Sequence, residues 1–221
     1  MKCPKCNEAP AEYQNQDTQT NMHTDTKTET NYIDFYKQAN KDIQATNYPE
    51  KRGLSKAILD RFKIGYVENW KHPNAPENVT GSPRLIIPVT QTSYLARDTR
   101  DNIPDYQKQY AKTKVGGSDI FNAIAFTQNA DQPIFIVEGE IDALSIMEVG
   151  GVAVGLGGTS NYRKLVGLVK DKQLERPLIL ALDNDSSGRK TQHYIECYRC
   201  GSFLRSSRSF GSSRRFRYGS A

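Results

Sequence analysis

Acidic residues stand directly after two predicted β-strands, and their spacing could hold a metal ion. Glu138 follows an apolar strand that begins at Ile134, and Asp183 and Asp185 follow another apolar run. Residues i and i+2 of an extended segment point to the same side, so both aspartates can present carboxylates to one point. Crowded carboxylates repel one another unless a cation neutralises them, and oxygen ligands favour Mg²⁺ or Mn²⁺. Such a site suits phosphoryl transfer.

Small and acidic residues flank these strand ends. Asp142 opens a predicted helix, where its carboxylate could support the metal ligands or simply cap the helix. Gly139 and Gly188 leave the neighbouring turns free of side chains, so a phosphate or a metal could approach the backbone. Glu140 lies between Glu138 and Asp142 in the sequence and is expected to face solvent.

A regular alternation of strands and helices positions the acids. Continuous apolar strands separated by amphipathic helices indicate an α/β fold with a parallel sheet covered on both faces. The carboxyl ends of the strands in such a sheet form the ligand crevice. Gly155–Ser160 belongs to the second strand and its turn rather than to a dinucleotide loop, because the sixth position of the glycine motif is serine. The predicted strands are 134–137, 153–156 and 178–182, and the predicted helices are 142–149, 161–170 and a third that starts near Ser187.

Residues 32–132 predict a small mixed domain of helices and a β-hairpin. Aromatic residues from Tyr32 onward repeat at helical spacing. Ser55 is the predicted N-cap of a second helix, and Gly65 is its predicted C-terminal stop. The hairpin strands are expected at 84–89 and 93–97, and a charged loop is expected over 98–119.

The four cysteines form two Cys-x-x-Cys pairs that predict zinc rather than a disulfide. The pairs are Cys3/Cys6 and Cys197/Cys200. Zinc ribbons usually place their two pairs roughly 15–20 residues apart, so residues 1–12 are interpreted as half of a ribbon rather than as one site shared with the distant pair. Residues 13–31 are threonine-rich and predict a disordered linker, and residues 198–221 predict a disordered tail.

The composition argues against membrane-spanning and secreted proteins. The chain has 221 residues, and no apolar run approaches the roughly 18 residues of a membrane-spanning helix. The N-terminus has no apolar signal core, so a cytoplasmic protein is expected. The net charge is +5, but six arginines and no acidic residues fall from Arg199 onward. Because the remainder is near neutral, the overall basicity says little about nucleic-acid binding by the folded part.

Two segments resemble the TOPRIM domain shared by bacterial-type primases, topoisomerases and certain nucleases. They are Phe135–Ser145 and Leu182–Lys190, and the resemblance covers about residues 133–192. The preceding segments 51–66, 84–97 and 109–122 resemble the first part of the catalytic core of bacterial-type primases. The overall order of segments resembles primases of phages and mobile elements. The resemblance implies a TOPRIM domain over 133–197 behind a template- and nucleotide-binding subdomain over 32–132. It also implies that Cys3 and Cys6 are half of a zinc ribbon.

The resemblance to primases implies synthesis of short RNA primers on single-stranded DNA during replication. Glu138, Asp183 and Asp185 would hold the divalent metals that bind nucleotide phosphates, and Asp142 would support them. Single-stranded template DNA and ribonucleoside triphosphates are the implied partners, together with a replicative helicase in an intact protein. The implied nucleic-acid and nucleotide contacts are Arg84, Arg97, Lys108, Lys112, Lys114 and Lys190.

The sequence departs from the family at both ends, and two other functions stay open. No second ligand pair follows Cys6, and after about Gln192 the family would add a further strand, so the chain resembles a truncated primase. A TOPRIM nuclease would use similar acids to cleave phosphodiesters, although it does not need the upstream hairpin. A non-catalytic remnant would bind DNA in a salt-sensitive manner without incorporating nucleotides. A topoisomerase would need a nucleophilic tyrosine on a further domain.

Overall fold

A computed structural model describes residues 30–128, 131–172 and 176–201. The predictions for Cys3 and Cys6, for most of the linker and for residues 202–221 concern residues outside these ranges. The side chains of Cys197 and Cys200 also lie outside the description. The last helix continues to Gly201, so the predicted start of the tail at residue 198 falls inside this helix.

The N-terminal half is built on a four-stranded antiparallel sheet. The predicted hairpin is confirmed, and its two strands pair in the register Leu85 to Arg97. A further strand, with the sequence Lys-Thr-Lys-Val, occupies part of the predicted charged loop and forms one edge of the sheet. The strands lie in the order β1 (Gly65–Trp70), β2 (Ser82–Pro88), β3 (Tyr94–Asp98) and β4 (Lys112–Val115).

Three short α-helices precede this sheet in the chain. Ser55 caps the third helix as predicted, because its hydroxyl accepts a hydrogen bond from the Ile58 backbone N–H. The prediction that Gly65 ends this helix is wrong: Lys63 takes the left-handed conformation, and Gly65 begins β1. A Cβ on Gly65 would overlap Ala39, so close packing requires this glycine. The helices are α1 (Ile33–Lys41), α2 (Tyr48–Lys51) and α3 (Lys56–Arg61).

The C-terminal half contains the predicted parallel sheet. Its three strands are β5 (Ile134–Val137), β6 (Val152–Gly155) and β7 (Leu178–Leu180), with β5 in the centre. Successive side chains of β5 point to opposite faces, so Ile136 packs in one core and Val137 in another. The helices are α4 (Glu140–Glu148), α5 (Tyr162–Asp171) and α6 (Ser186–Gly201), each within two residues of its predicted start.

The two sheets share a hydrophobic core. One face of the antiparallel sheet contributes Leu85 and Leu95, which belong to the same buried cluster as Leu144 of α4 and Val137 of β5. A short β-bridge adds to this contact, because Phe121 and Gly155 exchange backbone hydrogen bonds of 2.8 and 3.2 Å. The segment before β5 is therefore built into the parallel-sheet half.

The opposite face of the antiparallel sheet packs against α1. Tyr36, Trp70, Ile86 and Tyr94 form an aromatic-rich cluster there, and the Tyr36 hydroxyl donates to the Ser93 carbonyl at 2.9 Å. Among the described residues, none of the helices is both long and apolar enough to cross a bilayer.

Candidate active site at the carboxyl edge of the parallel sheet

The predicted acids lie at the carboxyl ends of two neighbouring strands. Glu138 follows β5 directly, and Asp183 follows β7 after two residues that continue alongside β5. Glu138 lies at the end of the central strand β5, which has β6 on one side and β7 on the other. Open α/β sheets bind ligands at such a point, where the strand order reverses. Asp142 lies in the first turn of α4, beside the same edge.

Glu138 has the electrostatic environment of a site residue. Its Oε1 atom is buried and has no hydrogen-bond partner among the described residues. Burial raises the pKa of Glu138, and the negative charges of Asp183, Asp185 and Asp142 raise it further. The side chains of those three aspartates are exposed. The site therefore combines one partly buried carboxylate with three solvent-facing carboxylates around it.

The start of α6 approaches the strand ends closely. The Gly188 backbone N–H donates to Asp185 Oδ1 at 2.7 Å. A Cβ on Gly188 would overlap the Asp183 carbonyl oxygen and lie 2.7 Å from Glu138 Oε1. A side chain at this position would fill the space between the two strand ends, so the glycine keeps the edge open to a ligand.

Replacing Gly188 by alanine is expected to destabilise the protein and to disturb the acidic edge, because the new methyl group meets backbone as well as the Glu138 carboxylate. Gly167→Ala is the matched control: this glycine lies in α5 and its Cβ would meet nothing within 4 Å. Alanine there should stabilise the helix by about 0.5–1 kcal/mol. Thermal melting of both variants tests the contrast, and an equal gain for both would contradict it.

The acids fit a divalent cation only in part as they stand. Among residues 30–128, 131–172 and 176–201, no three His, Cys, Asp or Glu side chains are grouped closely enough to form a metal cage. The donors are nevertheless hard carboxylate oxygens, which suit Mg²⁺ or Mn²⁺. No described residue donates a hydrogen bond to the buried Oε1 of Glu138, and the negative charges of the neighbouring aspartates favour a cation beside it. Oxygens from a bound substrate would have to complete such a site.

Removing the charge of Glu138 is expected to stabilise the protein in the absence of metal. The folded-state pKa of Glu138 is raised above its ordinary value of 4.5. The free energy of unfolding therefore falls as the pH rises from 4.5 through the folded-state pKa. Glu138→Gln should therefore melt at a higher temperature than the parent chain at pH 7, and the difference should vanish below about pH 4. A lower melting temperature for the variant at pH 7, measured with chelator present, would contradict this expectation.

Three of the predicted basic residues share one face of the antiparallel sheet. Arg97 pairs in register with Lys112, and Lys114 pairs with Leu95 two residues away, so all three side chains project to the side of the shared core. Lys112 is exposed, whereas Arg97 and Lys114 are partly buried. The Arg97 guanidinium donates to the Tyr48 hydroxyl at 2.5 Å, a contact that the sequence analysis did not anticipate.

Arg84 does not belong to that basic face. The register pairs it with Asp98, which places both side chains on the opposite side of the sheet. Its guanidinium is buried, donates to the Tyr110 carbonyl at 2.6 Å and lies 3.5 Å from Asp98 Oδ2. The guanidinium also lies over the Trp70 ring. The expectation that Arg84 lines an open groove is therefore corrected: its donors are used inside the fold.

Lys108 and Lys190 lie on the surface, outside β4. The Lys108 ammonium forms an ion pair of 2.6 Å with Asp105 in an exposed helical turn. Lys190 is exposed in the first turns of α6, two residues beyond Gly188. The structure brings neither into contact with the acids, so their role in binding stays a prediction.

Glu140 is the main residue that sequence reasoning misjudged. It was expected to face solvent, but it is 5% exposed and its Oε1 has no hydrogen-bond partner among the described residues. The first residue of α4 points toward the junction of the two sheets, where Gly155 allows the strand to approach it closely. The sequence around Glu140 does not indicate this burial, because the burial depends on packing against the other half of the chain.

Comparisons with known proteins agree with this architecture. Residues 135–200 match the family described as Toprim-like. The DnaG catalytic core superposes with a TM-score of 0.56 at 20% identity, over 73% of this chain and 63% of that core. The zinc-binding and RNA polymerase domains of the Aquifex aeolicus primase give 0.51 at 16% identity, over 72% and 47% of the two chains.

A third similar structure is the RNA polymerase domain of the Mycobacterium tuberculosis primase DnaG. Its TM-score is 0.50 at 18% identity, over 72% of this chain and 65% of that domain. The chain spans less than two thirds of the length of each of these three structures. No curated protein sequence matches the chain. The chain therefore has the fold of a bacterial-type primase catalytic core, with a Toprim-like domain in its C-terminal half.

Proposed function

We propose that this chain is part of a primase catalytic core that joins ribonucleoside triphosphates into a short primer on single-stranded DNA. The observation that carries the proposal is the buried Glu138 Oε1 at the carboxyl edge of the sheet, which has no hydrogen-bond partner among the described residues and lies near Asp183 and Asp185, beyond the end of the neighbouring strand. The primase-core fold supports the assignment, because the DnaG catalytic core superposes on 73% of this chain with a TM-score of 0.56.

The acids of the carboxyl edge are proposed to hold Mg²⁺ or Mn²⁺ together with the nucleotide. Glu138, Asp183 and Asp185 would supply the ligands, and Asp142 would support them from the first turn of α4. A divalent cation there would neutralise the carboxylates and the phosphate oxygens of the incoming nucleotide. The 3′-hydroxyl of one nucleotide would then attack the α-phosphate of the next, and pyrophosphate would leave.

The shared basic face is proposed to bind the polyanionic substrates. Arg97, Lys112 and Lys114 project from β3 and β4 toward the half of the chain that carries the acids. A planar guanidinium can contact two phosphate oxygens at once, whereas a lysine acts as a point charge. Lys108 and Lys190 are proposed to extend this contact to template DNA, since phosphate contacts contribute most of non-specific affinity.

Several finer assignments are also proposals. Cys3 and Cys6 would bind zinc together with ligands from another part of an intact protein. A replicative helicase would be a partner of that intact protein, and the cytoplasm of a bacterial host would be its location. A phage or mobile element is the proposed source, because the order of segments resembles those primases.

Primer synthesis on a mixed single-stranded template tests the proposal against its nearest rival. The chain is incubated with Mg²⁺ or Mn²⁺ and labelled ribonucleotides, and a parallel tube contains end-labelled DNA without nucleotides. A primase gives short RNA products in the first tube and leaves the DNA intact in the second. A TOPRIM nuclease gives no RNA product in the first tube and shortens the labelled DNA in the second, and salt-sensitive binding without either product would identify a non-catalytic remnant.

A further inference from the structure

The junction between the two sheets contains a buried charge that the proposed reaction does not use. Glu140 is 5% exposed, and its Oε1 receives no hydrogen bond from any described residue. An isolated buried carboxylate is costly, so such groups usually face an opposite charge. A candidate for that charge is Lys114, which comes from the other half of the chain.

Lys114 reaches across the junction to the parallel sheet. Its register on β4 points it toward the shared core, and its ammonium donates to the Gly157 carbonyl just beyond β6. The same ammonium lies 3.4 Å from the Ser118 hydroxyl. The Gly157 backbone N–H in turn donates to the Glu138 carbonyl at 2.9 Å. One lysine thus connects β4 to the backbone of the candidate metal ligand.

Gly157 lies between the two charged side chains. A Cβ on this residue would lie 2.8 Å from Lys114 Nζ and 3.0 Å from Glu140 Oε1, so both charged atoms surround the same point. Its φ of +66° also favours glycine. The missing side chain therefore leaves open the space between the ammonium and the carboxylate.

The other charged groups around Lys114 are already engaged with one another. Asp119 forms an ion pair of 3.1 Å with Lys164 of α5 and accepts a hydrogen bond from Ser93. Burial lowers the pKa of Lys114 and Lys164 lowers it further, while Glu140 is the largest opposing influence and Asp119 the next. By contrast, no described residue donates a hydrogen bond to Glu140 Oε1.

We propose that Glu140 is a positioning residue that holds the Lys114 ammonium against the Gly157 loop, so that the lysine faces the triphosphate of a bound nucleotide. The inference rests on the proposed function, because the nucleotide is the ligand that the lysine would meet beside Glu138. It assigns to Glu140 no contact with substrate. The pair also couples β4 of one half to the carboxyl edge of the other.

The first test measures the position and charge of Lys114 without any substrate. The chain is treated with acetic anhydride, and acetylation of Lys114 is quantified by mass spectrometry relative to the exposed Lys63. Glu140→Gln should raise the rate at Lys114 by about threefold or more, because an amine that loses its negative neighbour releases its proton more easily. Its melting temperature should stay equal to that of the parent chain or rise, because a buried charge is removed.

Glu148→Gln is the matched control for this test. Glu148 lies on the same helix and also contacts the N-terminal half, since its carboxylate accepts a hydrogen bond from the Ser55 backbone N–H at 2.8 Å. This substitution should leave acetylation of Lys114 unchanged. Equal acetylation in the Glu140 and Glu148 variants would overturn the proposal, and so would a Glu140→Gln protein that fails to fold, because the role would then be structural.

The second test uses adenosine triphosphate with Mn²⁺ and a double-mutant cycle. Lys114→Gln and Glu140→Gln should each weaken nucleotide binding by about tenfold, the loss of one charge-assisted contact. Together they should weaken it no further than Lys114→Gln alone, because Glu140 acts through the lysine. Additive losses would overturn the proposal. A shift in acetylation with no primer synthesis would refute the proposed function and leave the positioning role intact.

Discussion

Asp183→Ala is expected to abolish primer synthesis while leaving single-stranded DNA binding nearly unchanged. Asp183 is exposed at the end of β7, so its loss removes a negative charge from the edge without leaving a cavity. Loss of a residue that only supports a metal ligand can lower activity by about 100-fold, so loss of a ligand itself should lower the rate of primer synthesis by at least as much. DNA binding should persist, because phosphate contacts come from basic residues.

The measurement is a gel of labelled primers with Mg²⁺ or Mn²⁺, beside a filter-binding assay with the same template. Asp131→Ala is the control: Asp131 is an exposed acid just before β5, at the opposite edge of the same sheet. It should keep the primer yield of the parent chain. A normal product ladder from Asp183→Ala, or an equal loss from both variants, would refute the role of the carboxyl edge.

The second large effect is expected at Asp98, whose carboxylate is completely buried. It lies 3.5 Å from Arg84, and the Arg100 guanidinium holds both of its oxygens at 3.0 and 2.7 Å. Burial by itself would raise the pKa of Asp98, but the hydrogen bonds from Arg100 and the positive charge of Arg84 outweigh it and lower the pKa. Asp98→Ala leaves Arg84 buried without its partner and should cost about 3–5 kcal/mol of unfolding free energy.

Urea unfolding at pH 7 measures this loss. Asp101→Ala is the control, since Asp101 is 73% exposed and pairs with Lys51 on the surface; it should cost less than about 1 kcal/mol. Because the pKa of Asp98 is lowered, its contribution to stability is present above the ordinary value of 3.8 and declines as pH falls through the folded-state pKa. The unfolding free energies of Asp98→Ala and Asp101→Ala should therefore approach each other as the pH falls. A difference between them that does not change with pH would contradict this account.

The parallel-sheet half was predictable because its signals are local. Each strand is a short apolar run, each helix follows after a turn, and the acids stand where the runs end. The edge strand β4 was not predicted because it lacks such a local apolar pattern. Half of the residues in Lys112–Val115 are charged, which is typical of a loop. Lysines on an edge strand are common because they discourage pairing with another chain.

The misjudged side chains depend on contacts that no local pattern contains. Arg84 and Arg97 look equivalent in the hairpin sequence, but pairing places Arg84 opposite Asp98 and Arg97 opposite Lys112. The sequence around Glu140 is typical of a surface acid on α4, but in the fold Glu140 is buried and Lys114 of β4 lies at the same junction. Register and the docking of one half on the other decide these cases, and both are set by distant residues.

The β-bridge at Phe121 affects how the Toprim-like half can be produced as a separate fragment. A fragment cut at residue 133 would discard the partner of Gly155, together with Ile120 and Phe126, which fill the core beneath β5 and β6. Its sheet would expose a bare edge and an apolar surface to water. An expression boundary placed ahead of Asp119 keeps those side chains with the strands that they cover.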